Sequence, residues 1–300
     1  MINAAKNSPT CKRWATVTVW PAFFKNKLGK GGRRIPVQLP FVLSIPHCGT
    51  RIPPDVRACI ALSEDDIAES VDFGTQEIFG ALPALRIIAS RWNRLVADLN
   101  RNPGQRDAKG VVALTDYSGL SVFHSGCEPT QAEIEERVAR YHTPYHTQLT
   151  ELIQPDDFLG LIDCHSLNGT GPADAPDHGR KRSDVILSNF GDSLGRQRSA
   201  QEPLTCLAGL LQMAAAAFED QGFSVALNNP YRGGYIVNHY GAMLRAGGRF
   251  AIQIEMNQDL YITRPSVVPH PQQLAETTRR VAEALAAWAE QLAGGPTAGP

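Results

Sequence analysis

The chain has 300 residues, 43% of them hydrophobic and 20% charged, with a formal net charge of −1 at pH 7. That is the composition of an ordinary soluble globular protein. The near-neutral charge gives no reason to expect a nucleic-acid partner, and no apolar run approaches the roughly 20 residues that span a bilayer.

The start, MINAAKNSPTCKRW, lacks an apolar leader core, so a cytoplasmic protein is expected. Charge is unevenly spread. Residues 1–40 carry eight Lys/Arg and no acid, leaving 21 basic against 30 acidic side chains in the rest, a balance of −9. We read 1–39 as a basic extension, 40–293 as one domain and 294–300 as a frayed tail. The six cysteines (Cys11, Cys48, Cys59, Cys127, Cys164, Cys206) form no CxxC pair, which argues against a zinc finger and for reduced thiols.

FVLSIP (41–46) reads as a buried strand stopped by Pro46. Residues 63–82 read as a helix with a Ser63 cap and acids in its first turn. LRIIAS and RLVADLN suggest strands around 85–100, followed by a long Gly-rich stretch of the kind that is usually functional. Ile134, Val138, Tyr141, Tyr145 and Leu149 recur near a 3.6 spacing and predict a helix over 131–153. FLGLID, DVILSN, FSVALN and FAIQIEM read as strands. Residues 201–221 read as a helix closed by Gly222, and 271–293 as a final amphipathic helix. The alternation predicts a three-layer α/β/α domain with a mixed, largely parallel central sheet.

The strand ends carry the reactive side chains, where open α/β sheets place their ligands. FVLSIP runs into His47, LVADLN brings Asp98, Asn100 and Arg101, FLGLID brings Asp163 and His165, and FAIQIE brings Glu255. His47 and His165 fit either zinc ligation or structural hydrogen bonding, since 118 residues of separation specify nothing. Glu255 fits a general base or a paired surface acid, and Arg101 a carboxylate clamp or a surface ion pair. His142 and His146 share one helix face in YHTPYH, but Thr143 replaces the Glu of HExxH and Pro144 interrupts the pattern, so helix packing is the better reading. No P-loop or GxGxxG is present.

SIPHCGTRIP, VDFGTQEIF, SRWNRLVADLNRNP, YHTPYHTQL, DCHSL, NPYRGGYIVNHYG and IQIEMNQDLYI occur in that order over roughly residues 40–290. Together they resemble the N-formylglutamate amidohydrolase (deformylase) family. The resemblance implies a zinc-carboxypeptidase-like or aspartoacylase-like fold with an eight-stranded mixed sheet. It also implies zinc-dependent hydrolysis of an N-acyl amino acid, a small carboxylate-bearing substrate, with one zinc per chain. His47 and His165 would be ligands. Asp72 would be the third, with Glu69 as the alternative, because Arg51 stands where HxxE relatives carry their acid. Glu255 would be the base. Asn100 and Arg101 would grip the substrate carboxylate, with Asp98 orienting the Arg, and Arg94 or Arg232 would assist at a second carboxylate. Asp163 would orient a ligand. The resemblance leaves room for a homo-oligomer. A carboxypeptidase-like hydrolase of short peptides or cell-wall fragments, and a non-catalytic binding protein of the same fold, remain alternatives at this level.

Overall fold

The computed structural model describes residues 38–264 and 267–294. The basic arm and the tail expected at the two ends lie outside the described residues, apart from residues 38, 39 and 294. The elements in chain order are β1 (Leu39–Ile45), α1 (Pro54–Arg57), α2 (Glu64–Glu69), α3 (Thr75–Phe79), β2 (Ala84–Ala89), α4 (Gln131–Arg137), a π-turn (Val138–His142) and α5 (Thr143–Leu152). Then come β3 (Gly160–Leu167), β4 (Val185–Ser188), α6 (Ala208–Glu219), β5 (Val225–Leu227), α7 (Tyr235–Ala246), β6 (Phe250–Asn257) and α8 (Pro271–Ala293).

The strands form one sheet in the order β2-β1-β3-β6-β4-β5. All pairs are parallel except β4 with β6. The sheet is thus mixed and largely parallel, as expected, but six strands are described rather than the eight that the resemblance implied.

Side chains alternate across the pleat and define two cores. On one face Phe41, Leu43, Ile162, Cys164, Ile252 and Ile254 pack with α3, α6 and α8. Trp288 of α8 stacks on Phe41 at 5.1 Å between ring centroids. On the other face Val42, Leu161 and Ala251 meet Tyr145 and Leu149 of α5 and Ile236, Val237 and Tyr240 of α7. Cys164 therefore packs as a buried thiol, while its neighbours Asp163 and His165 turn toward the α5/α7 side.

Three expectations are corrected. RLVADLN is a run of turns, not a strand. Asn93 Oδ1 accepts from Leu95 N at 2.8 Å and Asp98 Oδ1 from Asn100 N at 2.8 Å, so side chains take the backbone bonds a ladder would have used. Leu95, Val96 and Ala97 looked strand-like because they are buried, but they lie in a satellite core with Val56, Val111 and Phe123. The 63–82 helix is likewise broken into α2 and α3. Ser63 caps α2 as expected, accepting from Asp66 N. Gly74, at φ 83°, then turns the chain, and a Cβ there would collide with the Tyr261 ring. Downstream, the 201–221 helix begins only at Ala208, and Gly222 beyond its end has φ 78°.

The helix carrying YHTPYH continues through its Pro by way of the π-turn. Its two imidazoles hold backbone rather than a metal. His142 Nε2 donates to Arg101 O at 3.0 Å, and His146 Nε2 donates to Leu99 O at 2.9 Å. His146 Nδ1 lies 2.9 Å from the Tyr240 hydroxyl. Burial, then the neighbouring His142, lowers the pKa of His146 to about 3, and burial also lowers that of His142.

In the unfolded chain these histidines titrate near pH 6.5. At His146 the unfolded state binds more protons between there and about pH 3, so its contribution to stability is full above pH 6.5 and falls on acidification, by up to about 1.4 kcal/mol per pH unit. Urea unfolding at pH 7 and pH 5 should show a larger loss for the parent chain than for His146→Gln, which does not titrate; equal losses would contradict the assignment.

Candidate metal and active site

The carboxyl ends of β1, β3 and β6 lie side by side, and there the α5/α7 face turns polar. His165 of β3 is in register with Glu255 of β6, and Asp163 with Gln253. Ser44 of β1 is in register with Asp163. His47 follows β1 after Pro46. Asp72 sits in the turn that Gly74 opens between α2 and α3. It is fixed by its own N–H donating to His47 O at 3.0 Å and by the Thr75 hydroxyl donating to its carbonyl at 2.6 Å.

His47, Asp72 and His165 are all buried, and their donor atoms lie within 4.8 Å of one another. His165 Nδ1 is 3.1 Å from His47 Nδ1 and 3.1 Å from Asp72 Oδ2, and His47 Nδ1 is 3.6 Å from Asp72 Oδ2. Three ligands at zinc bond lengths in a tetrahedral shell stand about 3.4 Å apart. The far sides of both rings face carboxylates. His47 Nε2 is 2.8 Å from Asp98 Oδ1, and His165 Nε2 is 2.8 Å from Asp163 Oδ2. If each Nε2–H donates outward, both Nδ1 atoms present lone pairs to each other and to the Asp72 carboxylate. Three acceptors then meet in a buried place, an arrangement that needs a cation or a proton at its centre. The proton affinity of the cluster says the same. Burial disfavours charge on His165, but Asp163 and Asp72 outweigh it and hold its pKa well above the usual imidazole range. Burial would also raise Asp72, yet hydrogen bonds from His165 and His47 pull it well below the carboxylate range. A divalent cation fits this donor set and would displace that proton.

The supports run outward from the rings. Asp163 Oδ1 accepts from the Ser44 hydroxyl at 2.9 Å, and Ser44 Oγ is 2.9 Å from the Tyr145 hydroxyl. Asp98 Oδ2 is held by Arg94 through Nη2 at 2.7 Å and Nε at 3.2 Å. Burial would raise the Asp98 pKa, but Arg94 and then His47 keep it well below the usual value. Asp98 thus orients His47 and pairs with Arg94, not with Arg101 as the sequence suggested. Asn100 is also held in place. Its Oδ1 accepts from Ile236 N at the start of α7 at 2.8 Å, and its Nδ2 lies 3.1 Å from His165 Nε2 and 3.4 Å from Gln253 Oε1. Gly234 is required there, because a Cβ would overlap the Asn100 amide.

Glu255 is buried beside this cluster. Gln253 Nε2 donates to its Oε1 at 2.9 Å. Burial raises its pKa to about 8, with His165 opposing and Asp72 adding to the rise. Glu255, Gln253, the His47–Asp72–His165 cluster, Arg94, Asp98 and Asn100 line one cavity of about 290 Å³, together with Arg101, Lys109, Tyr117, Arg182 and Tyr231. Two loops are tied to each other at its rim, Lys109 Nζ to Asp174 Oδ2 at 2.7 Å and Asp174 N to Tyr117 O at 3.2 Å.

The cavity brings together His47, Asp72, His165, Glu255, Arg94, Asp98, Asn100 and Arg101. Glu69 reaches only its rim, where Arg264 and Asn168 hold it, so Asp72 and not Glu69 stands with the two histidines. Arg232 is outside the lining and pairs with Glu202 at 3.5 Å. Sequence reasoning missed Gln253 and Ser44. The first could have been found from strand alternation, being two residues before Glu255 on the same face; the second has no signal beyond a hydroxyl in an apolar strand.

Fold and site define an α/β protein with a buried His–Asp–His donor set and a carboxyl group at adjacent strand ends. The family model described as N-formylglutamate amidohydrolase matches residues 39–262, and the chain belongs to that family. It is 30% identical over 275 residues to an N-formylglutamate deformylase of Pseudomonas aeruginosa, covering 85% of this chain and 95% of that one. It is 27% identical over 267 residues to one of Pseudomonas putida, covering 84% and 94%. Among solved structures, an N-formylglutamate amidohydrolase from Ralstonia eutropha superposes with a TM-score of 0.69 at 21% identity, over 86% of this chain and 96% of that chain.

Removing the carboxylate behind a ligating imidazole usually weakens metal binding about 10–100-fold. Competition of the stripped protein with a chelator for zinc should show that loss in Asp163→Asn and in Asp98→Asn. Unchanged affinity in both would deny the two carboxylates their orienting role.

Proposed function

We propose that this chain hydrolyses the amide bond of an N-acylated amino acid, with N-formyl-L-glutamate the first choice, using one zinc held by His47 Nδ1, Asp72 and His165 Nδ1. The observation that carries the reading is the meeting of three lone-pair donors beside a buried carboxyl group, in a chain whose curated relatives are named N-formylglutamate deformylases. Zinc at such a donor set supplies Lewis acidity, toward an acyl oxygen and toward water.

The chain's own residues do the rest. Glu255 takes a proton from the attacking water and delivers it to the departing amine nitrogen. Gln253 fixes Oε1 of Glu255, leaving the other oxygen to handle the proton. Positive charge at the neighbouring donor set favours the carboxylate form that a base needs. Arg101 binds the substrate carboxylate bidentately. Its Nε donates to Lys109 O at 3.1 Å, and among the described residues it has no carboxylate partner. Arg94 is committed to Asp98 and acts by holding it. In balance, the acyl C–N bond breaks, a C–O bond from water forms, and formate and L-glutamate leave. The bridged loops and the small cavity favour a small substrate over a peptide groove.

Purified, zinc-loaded protein should release formate from N-formyl-L-glutamate faster than it cleaves short peptides. Glu255→Gln should lower kcat by about 10²–10⁴ while zinc stays bound. Turnover surviving in that variant would remove Glu255 as the base.

A further inference from the structure

One side chain over the cavity has no part in the chemistry above. Tyr117 lies on the loop between Arg101 and Thr130, with its ring between two cations. Arg94 Cζ is 5.1 Å from the ring centroid and Lys109 Nζ 5.5 Å. Its backbone is held as well. Tyr117 O accepts from Asp174 N, and Asp116 Oδ1 accepts from Ser118 N at 2.9 Å and Leu120 N at 2.7 Å. Stacking between cations needs only an aromatic ring, and a phenylalanine would supply it. The hydroxyl is the unexplained part. It has no hydrogen-bond partner among the described residues, although the side chain lines the cavity.

Burial raises the Tyr117 pKa to about 12. Arg94 and Arg101 oppose the rise, and Asp98 and Asp72 add to it. Tyr117 and those four groups all line the same cavity. Three other cations of the lining are already matched by carboxylates: Arg94 by Asp98, Lys109 by Asp174 and Arg182 by Asp177. Among the described residues Arg101 has no carboxylate partner, its Nε and Nη1 donating only to the carbonyls of Lys109 and Asn100, and the Tyr117 hydroxyl has no partner at all. A guanidinium without a carboxylate and a hydroxyl without a partner, both from residues lining one small cavity, suit a single carboxylate.

We propose that the Tyr117 hydroxyl and the Arg101 guanidinium form a two-donor clamp for the carboxylate of the substrate amino acid, which makes Tyr117 a substrate-binding residue carried on the rim loop. This rests on the amidohydrolase reading above. Because Lys109 and Tyr117 both contact Asp174, the 166–183 loop holds the clamp in place.

Tyr117→Phe tests it, since the variant keeps the ring and both cation contacts and removes only the hydroxyl. A hydrogen bond to a charged group predicts a rise in KM for N-formyl-L-glutamate of about tenfold or more, with kcat little changed. The dissociation constant of L-glutamate, measured by calorimetry on the zinc-loaded protein, should rise in step, and the melting temperature should stay put. An unchanged KM and dissociation constant would overturn the clamp. So would a fall in kcat at constant KM, which would place the hydroxyl at the reacting acyl group. A parent chain that binds L-glutamate but releases no formate would refute the function and leave the clamp to be decided by the binding measurement.

Discussion

Two imidazole nitrogens and a carboxylate oxygen converge in a buried place, and the surrounding structure depends on that convergence. Each ring is fixed from behind by a carboxylate, and each carboxylate is fixed in turn, Asp163 by Ser44 and Asp98 by Arg94. A buried charge costs several kcal/mol unless it is matched. The cluster therefore specifies what it will accept: positive charge at one point, a proton or a metal ion.

The sheet makes this convergence inexpensive in sequence. Parallel neighbours β1, β3 and β6 deliver their ends to one edge, and strand alternation sends Ser44, Asp163, His165, Gln253 and Glu255 to the same face while Phe41, Cys164 and Ile254 fill the other core. What the sheet cannot deliver comes from turns. Asp72 needs the break at Gly74, and Asn100 needs the close approach that Gly234 allows. His142 and His146 hold the carbonyls of Arg101 and Leu99 and so steady the segment carrying Asn100 and Arg101.

Much of this frame was legible in the sequence, because buried strands and the long amphipathic α8 announce themselves by periodicity. His47, Asp163, His165 and Glu255 stood out as polar residues ending apolar runs. Asp72 was legible only through family resemblance, since nothing in its local pattern separates it from Glu69. The segment 94–100 misled because burial in a satellite core imitates a strand. The resemblance, for its part, placed Asp98 beside Arg101, whereas in a tight turn it meets Arg94 four residues back. Arg232 misled as well, since no periodicity in its irregular segment records that it pairs with Glu202. Tyr117 was invisible, since a residue in a long irregular loop has no pattern to betray it.

Zinc titrated into the metal-stripped chain, with X-ray absorption at the zinc edge as the readout, tests the convergence most directly. One zinc per chain is expected, bound by two imidazole nitrogens and one carboxylate oxygen of the protein, with the site abolished in His165→Ala. Binding that persists unchanged in His165→Ala, or a shell containing sulfur, would contradict it.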